Sequence, residues 1–228
     1  MNVPLLPPRR GPVAGAAAIR PCLRAHPAWW LALASAAWSL SLGSALAATV
    51  QLQVQDLAGK PLTDAVVFLE SREARALVKP ATGVEMAQKG KAFDPPVLVV
   101  PAGTLVAFPN RDTVRHHVYS FSPIKTFELK LYSGVPSNPV LFDKTGIAVL
   151  GCNIHDGMAA WVVVVDTPYY GRSTATGTVA MAGVPAGSYR LRVWHPSLPV
   201  GTPAAEQPLV VGATDLAMVY KLSGATAP

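Results

Sequence analysis

Cys152, His155 and Met158 fall within the stretch GCNIHDGMAAWVVVV, a C-x2-H-x2-M spacing that ends just before an apolar run. A turn leaving GIAVLG and entering AAWVVVVD aims a thiol, an imidazole and a thioether at one point. Thiolate and thioether are soft donors, and together with imidazole they form a set that copper favours. A second imidazole would complete that set. Upstream, LVAFPNRDTVRHHVYSF supplies His116 and His117 at the start of a strand-like run. Alternation along a strand turns only one of two neighbours inward, so one is a candidate ligand and the other a candidate donor behind it.

Other chemistries fit these residues less well. Zinc accepts Cys and His, but Met158 is a poor zinc ligand, and no carboxylate or second cysteine is spaced to close a tetrahedron. Asp156 adjoins His155 and points elsewhere on a tight turn. A Cys152 nucleophile activated by a histidine would need an orienting group and an oxyanion site, and no motif for either accompanies it. His195, beside Trp194 in VWHP, reads as part of a strand-end aromatic cluster, and YYGRS at 169–173 reads as an ordinary turn. Lys125, Lys130 and Lys144 read as a solvated surface.

The elements that must position these side chains are strands. From Thr49 onward, short apolar or alternating runs such as VQLQVQD, DAVVFLE, PVLVVPAGTLVAF, SYRLRVW and AMVYKL are separated by Gly, Pro, Asn and Asp. This pattern predicts an all-β chain of sandwiches. SREARAL is the one segment with helical character, and it reads as a linker.

The order of the runs suggests nesting. The opening GKPLTDAVVFLE and the later GTVAMAGVPAGSYRLRVW with its terminal AMVYKL resemble the two halves of a transthyretin-like module of the carboxypeptidase-regulatory type, over residues 49–72 plus 169–223. The intervening residues 83–166 resemble a cupredoxin of the plastocyanin and amicyanin group. That resemblance rests on the segment running from Asn110 to His116 and on to Val118 and Phe121, on the F-x-P opening pattern, and on the Cys-His-Met loop. A Greek-key sandwich inserted into a smaller sandwich is therefore expected; the alternative is that one follows the other. Exported proteins labelled methylamine utilization proteins join two such domains, and the chain resembles them.

The resemblance implies one type 1 copper held by His116, Cys152 and His155, with Met158 as the distant axial ligand. It places His116 rather than His117 on the ligand position and gives His155 the role of surface exit for electrons, within a patch including Ile154, Gly157 and Pro123. Two departures stand out: Leu150 occupies a position usually aromatic, and His117 one usually asparagine. The implied function is single-electron transfer between redox proteins that dock transiently, without enzymatic turnover. The alternative is a β-sandwich that holds copper, or serves in structure or adhesion, without redox turnover.

Compartment and charge agree with that expectation. Residues 1–47 carry four arginines and no acid, then WWLALASAAWSLSLG and SALAA, the form of a signal peptide directing export to the periplasm. The apolar run is short of the roughly 20 residues of a membrane span, so no stable membrane insertion is expected after cleavage. Cleavage removes those four arginines and Cys22, leaving fifteen basic against thirteen acidic side chains and Cys152 as the sole cysteine. A net charge near +2 in place of +6 gives no reason to expect nucleic acid. Residues 224–228 read as a tail.

Overall fold

The structure is a computed structural model that describes residues 47–136 and 138–227. The expected signal peptide, but for Ala47, lies outside the described residues. The chain is almost wholly β. In order it forms β1 (Ala47–Gln55), β2 (Val66–Glu70), the helical turn α1 (Arg72–Arg75), β3 (Val84–Glu85), β4 (Ala87–Lys89), β5 (Ala92–Asp94), β6 (Val97–Pro101), β7 (Thr104–Ala107) and β8 (His116–Ser122). There follow β9 (Lys125–Tyr132), β10 (Val140–Phe142), β11 (Gly146–Gly151), β12 (Ala159–Val165), β13 (Tyr170–Arg172), β14 (Thr178–Pro185), β15 (Gly187–Trp194), β16 (Ala205–Val211) and β17 (Leu216–Lys221).

Pairing divides the strands by position in the chain. The outer parts supply a sheet of order β14-β1-β17 and another of order β13-β2-β15-β16, while the middle supplies β6-β12-β11-β8-β9, β10-β7-β3 and the β4-β5 pair. β1 shows how the sequence directs this. In AATVQLQVQ the residues Val50, Leu52 and Val54 are fully buried, and the glutamines between them face outward. Burying alternate apolar residues fixes the register, because a one-residue slip would turn all three into water.

Two apolar cores result. One gathers Val50, Leu52, Leu69 and Leu191 from the outer parts; the other gathers Met86, Phe108, Phe142 and Leu150 from the middle. The run AAWVVVV of β12 belongs to both. Its Ala160, Val162 and Val164 enter the middle core, while Val163 and Val165 enter the outer one. A strand buried on both faces needs a continuous apolar run, the pattern of parallel pairs, and β12 does pair in parallel with β6.

One segment differs from the sequence reading. Tyr170–Arg172, expected to be a turn, is strand β13 and pairs antiparallel with Phe68–Val66. The reason lies in its side chains: Tyr170 packs on the outer core, and Arg172 Nη1 donates to the Val97 carbonyl at 3.1 Å. The linker SREARAL contains one helical turn, capped by the Ser71 hydroxyl, which accepts from the Ala74 N–H at 3.0 Å. In the expected tail, Ala225 is buried and the Thr226 N–H donates to Ser197 Oγ at 2.9 Å. Among the described residues, no helix is long and apolar enough to cross a membrane.

Candidate metal centre

β11 and β12 pair up to Gly151 opposite Ala159, so residues 152–158 form the loop between them. That loop is closed by its own backbone: the Cys152 N–H donates to the Met158 carbonyl at 3.2 Å, and the Met158 N–H donates to the His155 carbonyl at 3.3 Å. Gly157 takes φ +79° inside it, a left-handed conformation that side-chain-bearing residues rarely adopt. The closure directs Cys152 and His155 toward each other, with Cys152 Sγ lying 3.8 Å from His155 Nδ1.

β8 delivers the third donor. His116, fully buried, places Nδ1 at 4.0 Å from the same sulfur. The donor atoms of His116, Cys152 and His155 all lie within 4.8 Å of one another. Among the described residues this is the one such cluster of His, Cys, Asp and Glu, and no carboxylate joins it. With metal–ligand bonds of about 2.0–2.3 Å, ligands around one ion stand roughly 3.5–4 Å apart, and both sulfur–nitrogen separations have that size. Met158 sits at the end of the loop, buried in the same core as Cys152.

The approach to His116 is braced. Asn110 Nδ2 donates to the carbonyls of Val114 at 2.8 Å and Tyr132 at 2.9 Å, while its Oδ1 accepts from the Asp112 N–H at 2.9 Å. Asp112 then accepts from His116 Nε2 at 2.7 Å and from the N–H groups of Gly90 at 2.6 Å and Lys91 at 2.9 Å. The Lys91 N–H is the main cause that holds the Asp112 carboxyl below the usual carboxylate range, with the His116 hydrogen bond adding to it against the cost of burial. A carboxylate on Nε2 fixes the tautomer that leaves Nδ1 bare and basic, as metal-bound histidines require.

His117 turns away from the cluster. Its Nε2 meets Glu128 Oε1 at 2.9 Å, its ring stacks at 5.5 Å on Tyr119, and its buried Nδ1 has no hydrogen-bond partner. Tyr132, paired with His116 across β8 and β9, donates to the Phe108 carbonyl at 2.7 Å and accepts from Gln88 Nε2 at 2.7 Å. Burial pushes its phenol up to about 12, the Gln88 hydrogen bond opposes this, and the charge of Cys152 adds to it. His195, assigned no metal role by the sequence, donates from Nε2 to the Thr63 carbonyl at 2.8 Å and contacts Ser197 Oγ through Nδ1 at 2.7 Å.

The sequence reading did not single out Asp112, Glu128 or Tyr119. For Asp112 a signal exists, an acid four residues before a candidate histidine within an Asn-initiated turn; for the other two only the strand pairing reveals the contact. Leu150, where an aromatic residue was the expectation, is fully buried. A phenol ring beside the residue preceding the cysteine comes instead from Tyr119, paired across the sheet with Gly151. A Cβ on Gly151 would stand 2.8 Å from both Cζ and Oη of that ring.

No protein-family model matches the chain, and no curated protein does. Solved structures do show likenesses. A purple cupredoxin from Nitrosopumilus maritimus is 21% identical over 36% of this chain and 99% of its own, with a TM-score of 0.33. An oxidised M98L mutant of amicyanin is 19% identical over 43% and 98%, with a TM-score of 0.34. A copper-containing nitrite reductase from Thermus scotoductus is 24% identical over 42% and 27%, with a TM-score of 0.34.

Proposed function

We propose that the chain is an exported, periplasmic electron-transfer protein with a single type 1 copper, bound by His116, Cys152 and His155 with Met158 as a distant fourth ligand. In this reading residues 83–166 are a cupredoxin-type sandwich inserted into a transthyretin-like one formed by residues 49–72 and 169–223. The observation that carries it is the convergence of two imidazole Nδ1 atoms, at 4.0 and 3.8 Å, on the only cysteine sulfur outside the signal peptide.

The three side chains would hold a copper ion, which would supply one-electron chemistry by changing between Cu(I) and Cu(II). The chain's own residues hold that set. Asp112 orients His116, the Cys152–Met158 hydrogen bond keeps the loop closed, and burial of Cys152 and Met158 shields both sulfurs from water. His155 is the ligand nearest solvent, and next to it Ile154 is 46% exposed, which supplies an apolar contact for a transient redox partner. Thiol chemistry on substrates is disfavoured, since Cys152 is only 8% exposed.

The test is optical. Mature protein titrated with Cu(II) is expected to develop an intense visible thiolate-to-copper absorption that bleaches with mild reductant and returns on reoxidation. Cys152→Ser abolishes the colour, and Met158→Gln keeps it with a shifted potential. Tight copper that never cycles would select the copper-holding alternative, and colourless protein isolated with zinc would overturn the proposal.

A further inference from the structure

A cleft of about 910 Å³ opens beside the loop that carries Cys152 and His155. Its floor is the outer face of β8, β11 and β12, including Tyr119, Val149 and Trp161; its opposite wall comes from the outer sheets, with Phe68, Arg192 and Trp194. Small-molecule sites have volumes of about 300–1,000 Å³, lie where two structural units meet, and combine aromatic walls with a few polar groups. The cleft has each of these properties. Trp161 and Trp194 meet in a tilted pair with ring centroids 6.2 Å apart, and Phe121, at the rim, is 75% exposed.

The polar groups constrain the occupant. Arg192 Nη1 already faces Glu206 at 3.2 Å and Glu70 at 3.5 Å, so its charge is matched and the cleft has no spare cation for an anion. Its Nε–H, however, is buried without an acceptor. A neutral flat ring bearing oxygen suits this lining, stacking on the aromatic side chains and offering an acceptor to the guanidinium.

Tyr119 links the cleft to the cysteine. Its ring lines the floor and presses on the backbone of Gly151, one peptide bond from Cys152, while His155 lines the same cleft. Two of the three clustered residues, Cys152 and His155, thus line the same cleft as the aromatic side chains.

We propose that the cleft binds a small aromatic redox molecule of the quinone and hydroquinone class, and that this is an electron partner of the chain. The proposal rests on the copper reading for its redox part and on the cleft alone for its binding part. A hydroquinone gives one electron to each of two successively docked Cu(II) proteins, loses its two phenolic protons to water, and departs as the quinone.

Beyond the signal peptide the chain has only Trp161 and Trp194, both in the cleft, so its tryptophan fluorescence reports on this place alone. Titrating metal-free mature protein with 2-methyl-1,4-naphthoquinone is expected to give saturable quenching. Val149→Phe, which fills the floor beside Trp161, raises the dissociation constant at least tenfold. Phe121→Asp, at an exposed position where folding is not at risk, weakens binding severalfold, while 1-naphthoate binds no more than weakly. In copper-loaded protein, bleaching by the hydroquinone saturates at a matching concentration, and Val149→Phe loses this saturation while ascorbate still bleaches it normally. Linear, collisional quenching equal in the wild type and both variants would overturn the proposal, as would preferential binding of the naphthoate. Saturable binding to protein that takes up no copper would leave the site standing and overturn the copper reading instead.

Discussion

His116 divides its two ring nitrogens between two tasks. Nδ1 faces the Cys152 sulfur and Nε2 is held by Asp112. A carboxylate behind a ligating imidazole typically accounts for 10–100-fold in metal affinity. Asp112→Ala is therefore expected to weaken Cu(II) binding by about that factor in a competition titration, with the visible band retained; unchanged affinity would mean that packing alone orients His116. The clustered side chains of His116, Cys152 and His155 were legible from residue type, since a thiol and two imidazoles stand out in any sequence. Asp112 was less so, because an acid in a turn has many commoner uses. The separation of His116 from His117 was legible only in part. Alternation says that the two diverge, but the ladder slips between His116 and Val118, and Glu128 on β9 fixes where His117 goes.

At the scale of elements, the ends of strands are held by side chains that the strand pattern does not reveal. β15 ends at Trp194, and His195 then ties it to the β1–β2 connection: Nε2–H donates to the Thr63 carbonyl at 2.8 Å, and Nδ1 accepts from the Ser197 N–H at 3.1 Å. Both nitrogens are satisfied in the neutral ring. Burial lowers the His195 pKa from its ordinary 6.5, outweighing the opposing effects of the Thr63 carbonyl and Asp64. A base with a depressed folded-state pKa adds stability that is fully present above the unfolded value, and that stability is lost as pH falls from there toward the folded value. In urea denaturation of metal-free protein, His195→Gln is expected to be less stable than wild type by about 1–2 kcal/mol at pH 7.5. The gap should narrow by pH 5.5, and a gap that stays constant over that range would show that His195 does not bind its proton differently in the two states. A different side chain explains why β13 was missed: its three residues are too few for a periodic pattern, and Arg172 anchors it to the Val97 carbonyl and Asp64.

For the whole molecule, the question is whether two cores behave as one. β12 answers it through its side-chain alternation, which places Val162 in the middle core and Val163 in the outer core. Neither core can lose this strand without exposing valines of the other. Val97 of the paired β6 sits in the outer core and Val100 in the middle one, and the Trp161–Trp194 contact adds a further link. The strands of the outer part were readable from alternation such as that of Val50, Leu52 and Val54 in β1. The shared wall was not, because a continuous apolar run states that both faces are buried without saying against what. Truncating a buried valine to alanine removes two methyl groups' worth of burial, about 2 kcal/mol with the cavity included. Val163→Ala, whose side chain belongs to the outer core, is thus expected to shift one common transition for two probes in guanidinium. The first is tryptophan fluorescence from the cleft; the second is reactivity of the buried Cys152 thiol in the metal-free chain. If Val163→Ala moved the fluorescence transition and left the thiol transition where it was, the cores would be independent, and the outer sandwich would be a separable support instead of part of the frame that holds the cluster.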